Sequence, residues 1–511
     1  MKKILVALIL VFTLLTSACT STDMQNDSSE DAEALFFSVM FNNREETPYR
    51  SDWKILEEYK KLKNVTLDIK PMNDENYNNA IALALESGNI PDIILKCWPN
   101  EIESYAASGI LLPFSDYEDQ MPNYRSFIEK NSLEDELDKL RMKNGKYYIL
   151  PGYKRKIQVQ QWIYRKDVFD NNNLAIPATY DQLYDDLLIL KSKYPESTPL
   201  TACWGGAHLF AMMGAGYGIP AGWNGNRYYN EVEDIWQFSP TSSNYKEMIM
   251  FLNKCYENGI LDSQIFTQDE NTFLEKLQDG RAFATVTWIS SGFSNWNQKL
   301  IENGHANGEW QAFAVPESTV GIRALPAVSV FRKGLVVPAR VINETYFEDL
   351  LKFLDWAVYS EEGMTLTSWG IEGLSYENTE AGKKFLLDII TTKNIQGTID
   401  LSKEYGFNLI FNLNEDAEFE DAKKPDEISE FLKKSQERKE LLELSPELKL
   451  NSQEAEMIRI IEEKLNTYAA EMQVKFIKGE RDIEKEWDMY ISECDERGYK
   501  SLEEIWNNAW E

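Results

Sequence analysis

The chain has 511 residues, 43% of them hydrophobic, and sets 84 acidic side chains against 53 lysines and arginines, a formal net charge of −31. That length exceeds one simple core and gives two or three domains as the expectation. The charge excludes nucleic acid and anionic lipid as partners held by electrostatic attraction, and no run beyond the N-terminus approaches the ~18 apolar residues of a membrane-spanning helix.

The chain opens on a leader. Lys2 and Lys3 precede an apolar run, Ile4 to Leu15, and then small residues Thr16, Ser17 and Ala18. This is the order of a secretory signal, and the run is too short to span a bilayer. It stops at one cysteine, Cys19, in "LLTSACTSTD". A plain secretory signal needs no cysteine after the cut. The stretch resembles a bacterial lipoprotein signal, whose cysteine becomes the first mature residue and carries lipid. Thr16 stands where that family usually has leucine, and Leu15 lies one place back. Ordinary secretion with an incidental cysteine is the plainer reading. Lipid chains anchor through buried methylenes, stably when there is more than one. "TSTDMQNDSSEDAE" (20–33) cannot bury enough apolar surface to fold. The expectation is therefore a signal peptide over 1–18, then a lipidated cysteine and disordered tether over 19–33.

From residue 35 strands and helices alternate. "LFFSVMF" (35–41) reads as a buried strand, "KILEEYKKLKNV" (54–65) as a helix and "VTLDIKP" as a strand. "YNNAIALALESGN" is a helix that Gly88 ends, and "PDIIL" (91–95) is a short buried strand. The alternation argues for an α/β layer with a largely parallel sheet. "IQVQQWIYR" (157–165) is strand-like. The helix after it opens on Thr179 with Gln182 three residues on, a capping-box pattern. "NYKEMIMFLNKCYENGILD" is a helix stopped by Gly259. "TFLEKLQDGRAFATVTWIS" is a helix, Gly280 and a strand. "VSVFRKGLVVPA" (328–339) is a strand pair or one bent strand, and "YFEDLLKFLDWAVYSEEG" is a helix. Residues 414–445, charged and containing Pro425, read as a solvated surface segment. The last 60 residues are helical, with Leu465, Met472 and Phe476 on one stripe.

Signals for catalysis are weak. The two histidines, His208 and His305, have no metal-ligand spacing. There is no G-x-S-x-G, no phosphate-cradling loop and no G-x-G-x-x-G after a strand; "GAGYG" (214–218) reads as a turn. With 84 carboxylates, any catalytic pair chosen from sequence is arbitrary. Cys97, Cys203, Cys255 and Cys494 form no C-x-x-C, and the sequence does not choose among their three pairings. A chain this large needs no disulfide staples, so free buried thiols are expected.

The tryptophans say more. Trp98, Trp204, Trp223, Trp288 and Trp369 stand at strand ends or in glycine-rich loops. Such loops are where open α/β sheets bind ligands. A rigid aromatic face beside polar groups suits a sugar ring, apolar on its faces and hydroxylated at its rim. The plainer reading is that each tryptophan fills a core, and Trp162, Trp356 and Trp487 are taken as core.

"ALESGNIPDIIL" (83–95), "GKYYILPGYK" (145–154), "WIYRKDVFDNNNLAIPATYDQLYDDLL" (162–188), "YENGILDSQIFTQD" (256–269), "SWGIEGLSYE" (368–377) and "KFIKGERDIEKEWDMYI" (475–491) together resemble extracellular solute-binding proteins of family 1. These are the receptor lipoproteins of carbohydrate ABC importers, and the nearest subgroup is the large LplA-like, aldouronate-type receptors of Gram-positive bacteria. The resemblance implies an α/β, two-lobed periplasmic-binding-protein-like fold of type II with a helical C-terminal extension. Lobe 1 would comprise 34–155 plus 328–368, and lobe 2 156–327 plus 369–511. Crossovers would fall near 151–158, 325–330 and 366–372, and closure would be a hinge motion. Carried over by position, the cleft residues would be Asn42, Asn43, Trp98, Tyr153, Arg155, Gln158, Trp204, Trp288, Trp369 and Glu372. Asp92 would be structural. Arg155 would take a carboxylate if the ligand carried a uronate, a surface ion pair being the plainer reading.

No cofactor is implied. Some relatives carry a calcium loop of alternating Asp and Asn; no such run is found here, so no metal is expected. The implied partners are a carbohydrate, the importer's permease subunits and the membrane through lipid alone, for a monomer on the extracellular face of a Gram-positive-type cell. Two rivals remain: a secreted carbohydrate-active enzyme with two carboxyls facing across a cleft, and a receptor of the same fold for a peptide or amino acid.

Overall fold

The computed structural model describes residues 34–510 apart from Ser291 and Glu447. The leader, Cys19 and the 20–33 segment lie outside the described residues. Strands in chain order are β1 (Leu35–Asn43), β2 (Val65–Asn73), β3 (Ile93–Cys97), β4 (Gln160–Arg165), β5 (Arg227–Asn230), β6 (Ile235–Phe238), β7 (Ala284–Trp288), β8 (Trp310–Phe313), β9 (Gly334–Val336), β10 (Tyr376–Thr379) and β11 (Gly382–Phe385). They form two main sheets, ordered β2-β1-β3-β9 and β7-β4-β8, and two hairpins.

In the first sheet β1 runs parallel to β2 and β3, and β9 is antiparallel to β3. The helix Lys54–Lys63 joins β1 to β2, buries Ile55 and Tyr59, and stops at left-handed Asn64. The second sheet departs from the expected parallel pattern: β4 is antiparallel to both neighbours. β7 and β8 are joined through the helix Ser294–Glu302 and run in one direction, with β4 reversed between them. Alternating strands and helices reveal the crossover but not which strand lies inside it.

Each sheet has its own core. Phe37, Val39, Ile93, Leu335 and Leu354 belong to the first, with Phe407 and Phe411 from far along the chain. Trp162, Leu187, Met213 and Leu252 belong to the second, closed by Leu465, Phe476 and Trp506 of the C-terminal helices. The helix Ser452–Ile477 is fixed to the helix Ser243–Glu257, where Tyr245 donates to Gln473 Oε1 at 2.7 Å. Among the described residues no helix is long and apolar enough to cross a membrane. Cys97, Cys203, Cys255 and Cys494 are free and buried.

The chain passes between the two cores along adjacent paths. Lys154 N donates to Val330 O at 2.8 Å and Arg332 N to Gly152 O at 2.9 Å, so the first two crossings run antiparallel side by side. The third meets them at Tyr153, whose N donates to Asn414 Oδ1 at 2.9 Å and whose carbonyl accepts from Glu415 N at 2.8 Å. A Cβ on Gly152 would lie 2.5 Å from Lys333 O and 2.7 Å from Leu413 O, so only glycine admits this convergence.

That third crossing is not at 366–372. Leu401 to Leu413 still pack in the first core, and the chain joins the second-sheet side only at Ile428 and Leu432. Residues 414–445 are correspondingly not a solvated segment. They hold the helices Ala417–Lys423 and Asp426–Glu437, which bury Phe419, Ile428 and Leu432. Their apolar residues are few enough to be masked by the surrounding charge. Gly214 and Gly216 likewise lie within the helix Ala207–Gly216, not in a turn; a Cβ on Gly214 would lie 2.8 Å from Ala221 Cβ.

Candidate ligand-binding cleft

The first wall is the edge of the first sheet where β1 and β3 end and β9 begins. Asn42 is 4% exposed, and its Oδ1 is buried with no hydrogen-bond partner. Asn43 Oδ1 accepts from Tyr49 N at 2.7 Å and fixes the turn after β1. Trp98 follows β3, is half-buried, and carries Lys333 Nζ 5.2 Å from its ring centroid. Lys96 sits at a bulge where the register shifts between Leu95 and Cys97, with φ of 58°. Arg44 closes the edge, 3.8 Å from Asp74. Asp92 is not at this edge. Its carboxylate accepts from Ser38 N, Ser38 Oγ, Arg340 and Tyr346 at 2.8–2.9 Å and is held below the ordinary aspartate range by those bonds against the cost of burial.

The second wall belongs to the other sheet. β7 ends at Trp288, opposite Gln160 of β4. Trp204 and Trp223 come from loops on either side of the helix Ala207–Gly216. The three indoles stand 5.5–5.6 Å apart, centroid to centroid. They enclose the ring of His208, 3.8 Å from Trp223 and 4.0 Å from Trp288. Burial pulls His208 down to about 3. The ring is therefore neutral at physiological pH, and its Nε2 accepts from the Gln160 amide at 3.3 Å. The indoles remain open to solvent by 38%, 50% and 36% for Trp204, Trp223 and Trp288.

Local backbone strain positions this cluster. Trp204, Gly205 and Gly206 are consecutive left-handed residues, with φ of 50°, 64° and 80°. For a bulky residue such a φ is an outlier that surrounding packing must enforce. Gly222, just before Trp223, has φ of 58°, and a Cβ there would lie 2.2 Å from Ala207 O. The two walls are close. Glu270, at the start of a helix beside the Trp204 loop, is pushed up by burial and then by Glu46 after β1, with Arg44 acting the other way.

The crossings supply the floor. Gln158 Nε2 donates to Pro326 O at 3.3 Å. The Tyr153 ring packs edge-on against Phe127 at 5.7 Å. Arg155 is already engaged, with Glu415 and, at 3.1 Å, with Asp421. It is not free to take a ligand carboxylate and instead ties the first crossing to the third.

Two expected residues fall elsewhere. Trp369 is fully buried against Tyr376, Phe385 and Phe419, and its Nε1 donates to Asp416 Oδ2 at 2.9 Å. It offers no face to a ligand. Glu372 is exposed and bridges to Tyr376 at the start of the β10–β11 hairpin. The sequence-derived cleft set lacks Gln160, His208, Lys96 and Lys333, and it lacks Trp223, which is named there only among the loop tryptophans.

A cavity of about 260 Å³ lies behind Trp98, lined also by Tyr148, Phe331 and Leu450 and by Arg227 from the far side. A larger groove of about 570 Å³, between the helices Lys54–Lys63 and Glu361–Ser368, is lined by none of the residues of either wall. Among the described residues no cluster of three His, Cys, Asp or Glu could hold a metal ion.

Residues 54–367 match a family model described as bacterial extracellular solute-binding protein. The chain is 22% identical over 312 residues to the fructooligosaccharide ABC transporter substrate-binding protein FusA of Streptococcus pneumoniae serotype 4, covering 56% of this chain and 57% of that one. It is 22% identical over 400 residues to the polygalacturonan/rhamnogalacturonan-binding protein YtcQ of Bacillus subtilis, covering 74% of each. The crystal structure of the alginate-binding protein AlgQ2 without calcium superposes with a TM-score of 0.78 at 18% identity, covering 94% of this chain and 98% of that one. The fold is thus the two-lobed one of periplasmic-binding-protein-like receptors.

Proposed function

Because the chain belongs to the family of bacterial extracellular solute-binding proteins, we propose that it captures an oligosaccharide between its lobes and hands it to an ABC importer. It acts as a monomer on the outer face of the membrane, held by lipid on Cys19. The observation that carries the reading is the three-indole cluster of Trp204, Trp223 and Trp288. Together these rings give a rigid, partly open aromatic surface onto which the C–H faces of a sugar stack at little entropic cost. Gln160 and the polar edge of the first wall supply hydrogen bonds for its hydroxyls. The relatives named for fructooligosaccharide, polygalacturonan/rhamnogalacturonan and alginate support a carbohydrate over a peptide.

The lobes meet through three crossings, and closure about them buries the ligand from both sides. No catalytic step is part of this reading: relatives are named for binding, and transport requires the ligand to leave unchanged. The test is melting of the mature chain against oligosaccharides, amino acids and peptides. A ligand of the folded state alone raises the midpoint by mass action. A rise with one sugar class, and recovery of that sugar intact after long incubation, is the expected result. A rise with peptides only, or cleavage of the sugar, would overturn it.

A further inference from the structure

We infer that the ligand carries an anionic group, a uronate carboxylate or a sulfate ester, which Lys96 and Lys333 receive on the first wall. This rests on the carbohydrate reading and deepens it.

The first argument is a contrast between lysines of one chain. Lys276, buried and structural, is ringed by Asp262 Oδ2 at 2.6 Å, Gln268 Oε1 at 2.7 Å and Gln264 Oε1 at 2.8 Å. Lys96 and Lys333 are half-buried and have neither a carboxylate within 4.0 Å nor a side-chain hydrogen bond among the described residues. In a chain of net charge −31, carboxylates are plentiful. The two neighbouring lysines are nonetheless left without a direct ion pair; Asp74, which pairs with Arg44 at 3.8 Å, and Glu101 act on them only from further off.

The second argument is backbone geometry. Lys96 occupies a β-bulge in a left-handed conformation. A bulge re-aims a side chain at the cost of regular pairing, and such outliers gather at functional positions. The third is electrostatic. Burial, then Arg44 and then Lys333 pull Lys96 down to about 8, against the weaker opposing effect of Asp74. Lys333 is lowered by burial and then by Arg44, with Glu101 and Asp74 opposing. The cations repel one another in the free protein, and a bound anion relieves that repulsion. Lys333 also lies over the ring of Trp98, so sugar stacking and charge recognition are adjacent. Ammonium groups are point charges without the fork of a guanidinium, so the wall reads charge and not carboxylate shape. The one arginine expected to read a uronate, Arg155, is already paired.

The test is calorimetric titration of the mature chain with trisaccharides of galacturonic, glucuronic and mannuronic acid, their neutral hexose counterparts and a sulfated galactan trisaccharide, at low and high salt. Expected is at least tenfold tighter binding of an acidic or sulfated trisaccharide than of its neutral counterpart, weakened by salt. Lys333→Met and Lys96→Met should each cost it tenfold or more. Lys96→Met should also raise the melting midpoint of the free protein at neutral pH, which removal of a merely structural cation would lower. Neutral sugars binding as tightly as acidic ones, or both variants keeping full affinity for the acidic sugar, would overturn the inference and leave the receptor reading intact. Binding of acidic peptides with no sugar bound would sink both.

Discussion

Trp288 leaves 36% of its surface open, whereas Trp369 is wholly enclosed. The same truncation should therefore read out differently at the two positions. Trp288→Ala should cost tenfold or more in ligand affinity with little change in unfolding free energy. Trp369→Ala should cost about 3–5 kcal/mol in urea unfolding, the usual range for a buried aromatic. If Trp288→Ala unfolds the protein as badly, the indole is core. His208 gives a second residue-scale prediction. Its pKa falls to about 3 in the folded protein, against about 6.5 unfolded. Between those values the unfolded chain binds the extra proton, so stability rises with pH. Acidification from pH 6.5 to 5 should remove about 1.6 kcal/mol through this one side chain. His208→Asn should flatten the pH profile over that window, and an unchanged slope would mean that the ring is not neutral in its cage.

The elements most legible in the sequence were those with local signatures. Thr179 Oγ1 accepts from Gln182 N at 3.1 Å, as the cap pattern implied, although the Gln182 side chain returns to Ala178 N and not to Thr179. Gly88 ends its helix in the left-handed region with φ of 71°. The placement of Trp98 and Trp288 at strand ends and of Trp204 in an open loop was legible, because strand ends can be read and loops follow them. Trp369 was not. Its "SWGIEG" loop has the composition of the open tryptophan loops, but Phe385 and Phe419 cover it from later in the chain, and no local pattern records that. Lys96 escaped notice because a left-handed bulge cannot be read from "ILKCW". Loop geometry also supplies a test at this scale. Gly222→Ala forces a Cβ against the Ala207 carbonyl and displaces Trp223. It should lower ligand affinity at least as much as Trp223→Ala, measured by calorimetry. Equal affinity to the parent protein would mean that the Trp223 loop takes no part in binding.

At the scale of the molecule, Arg155 clasps the first crossing to the third through Glu415 and Asp421. Arg155→Met should leave both walls intact and shift the balance between open and closed forms. Affinity should then change several-fold, and small-angle scattering should show a different radius of gyration for the free protein but the same one for the ligand-saturated protein. An unchanged free-state radius would mean that the clasp does not govern closure. The three crossings have another consequence, for biosynthesis. The first sheet is incomplete until β9 has been made, and its core takes residues as late as Leu413. The second core waits for the last helix, where Trp506 is fully buried and Asn507 exchanges hydrogen bonds with the backbone of Trp236 at 2.7 and 3.0 Å. Neither half can close until much of the chain has left the ribosome, and the second must wait almost for the end. Contacts so distant along the chain form slowly. A nascent chain with this wiring stays pliable through most of its own synthesis.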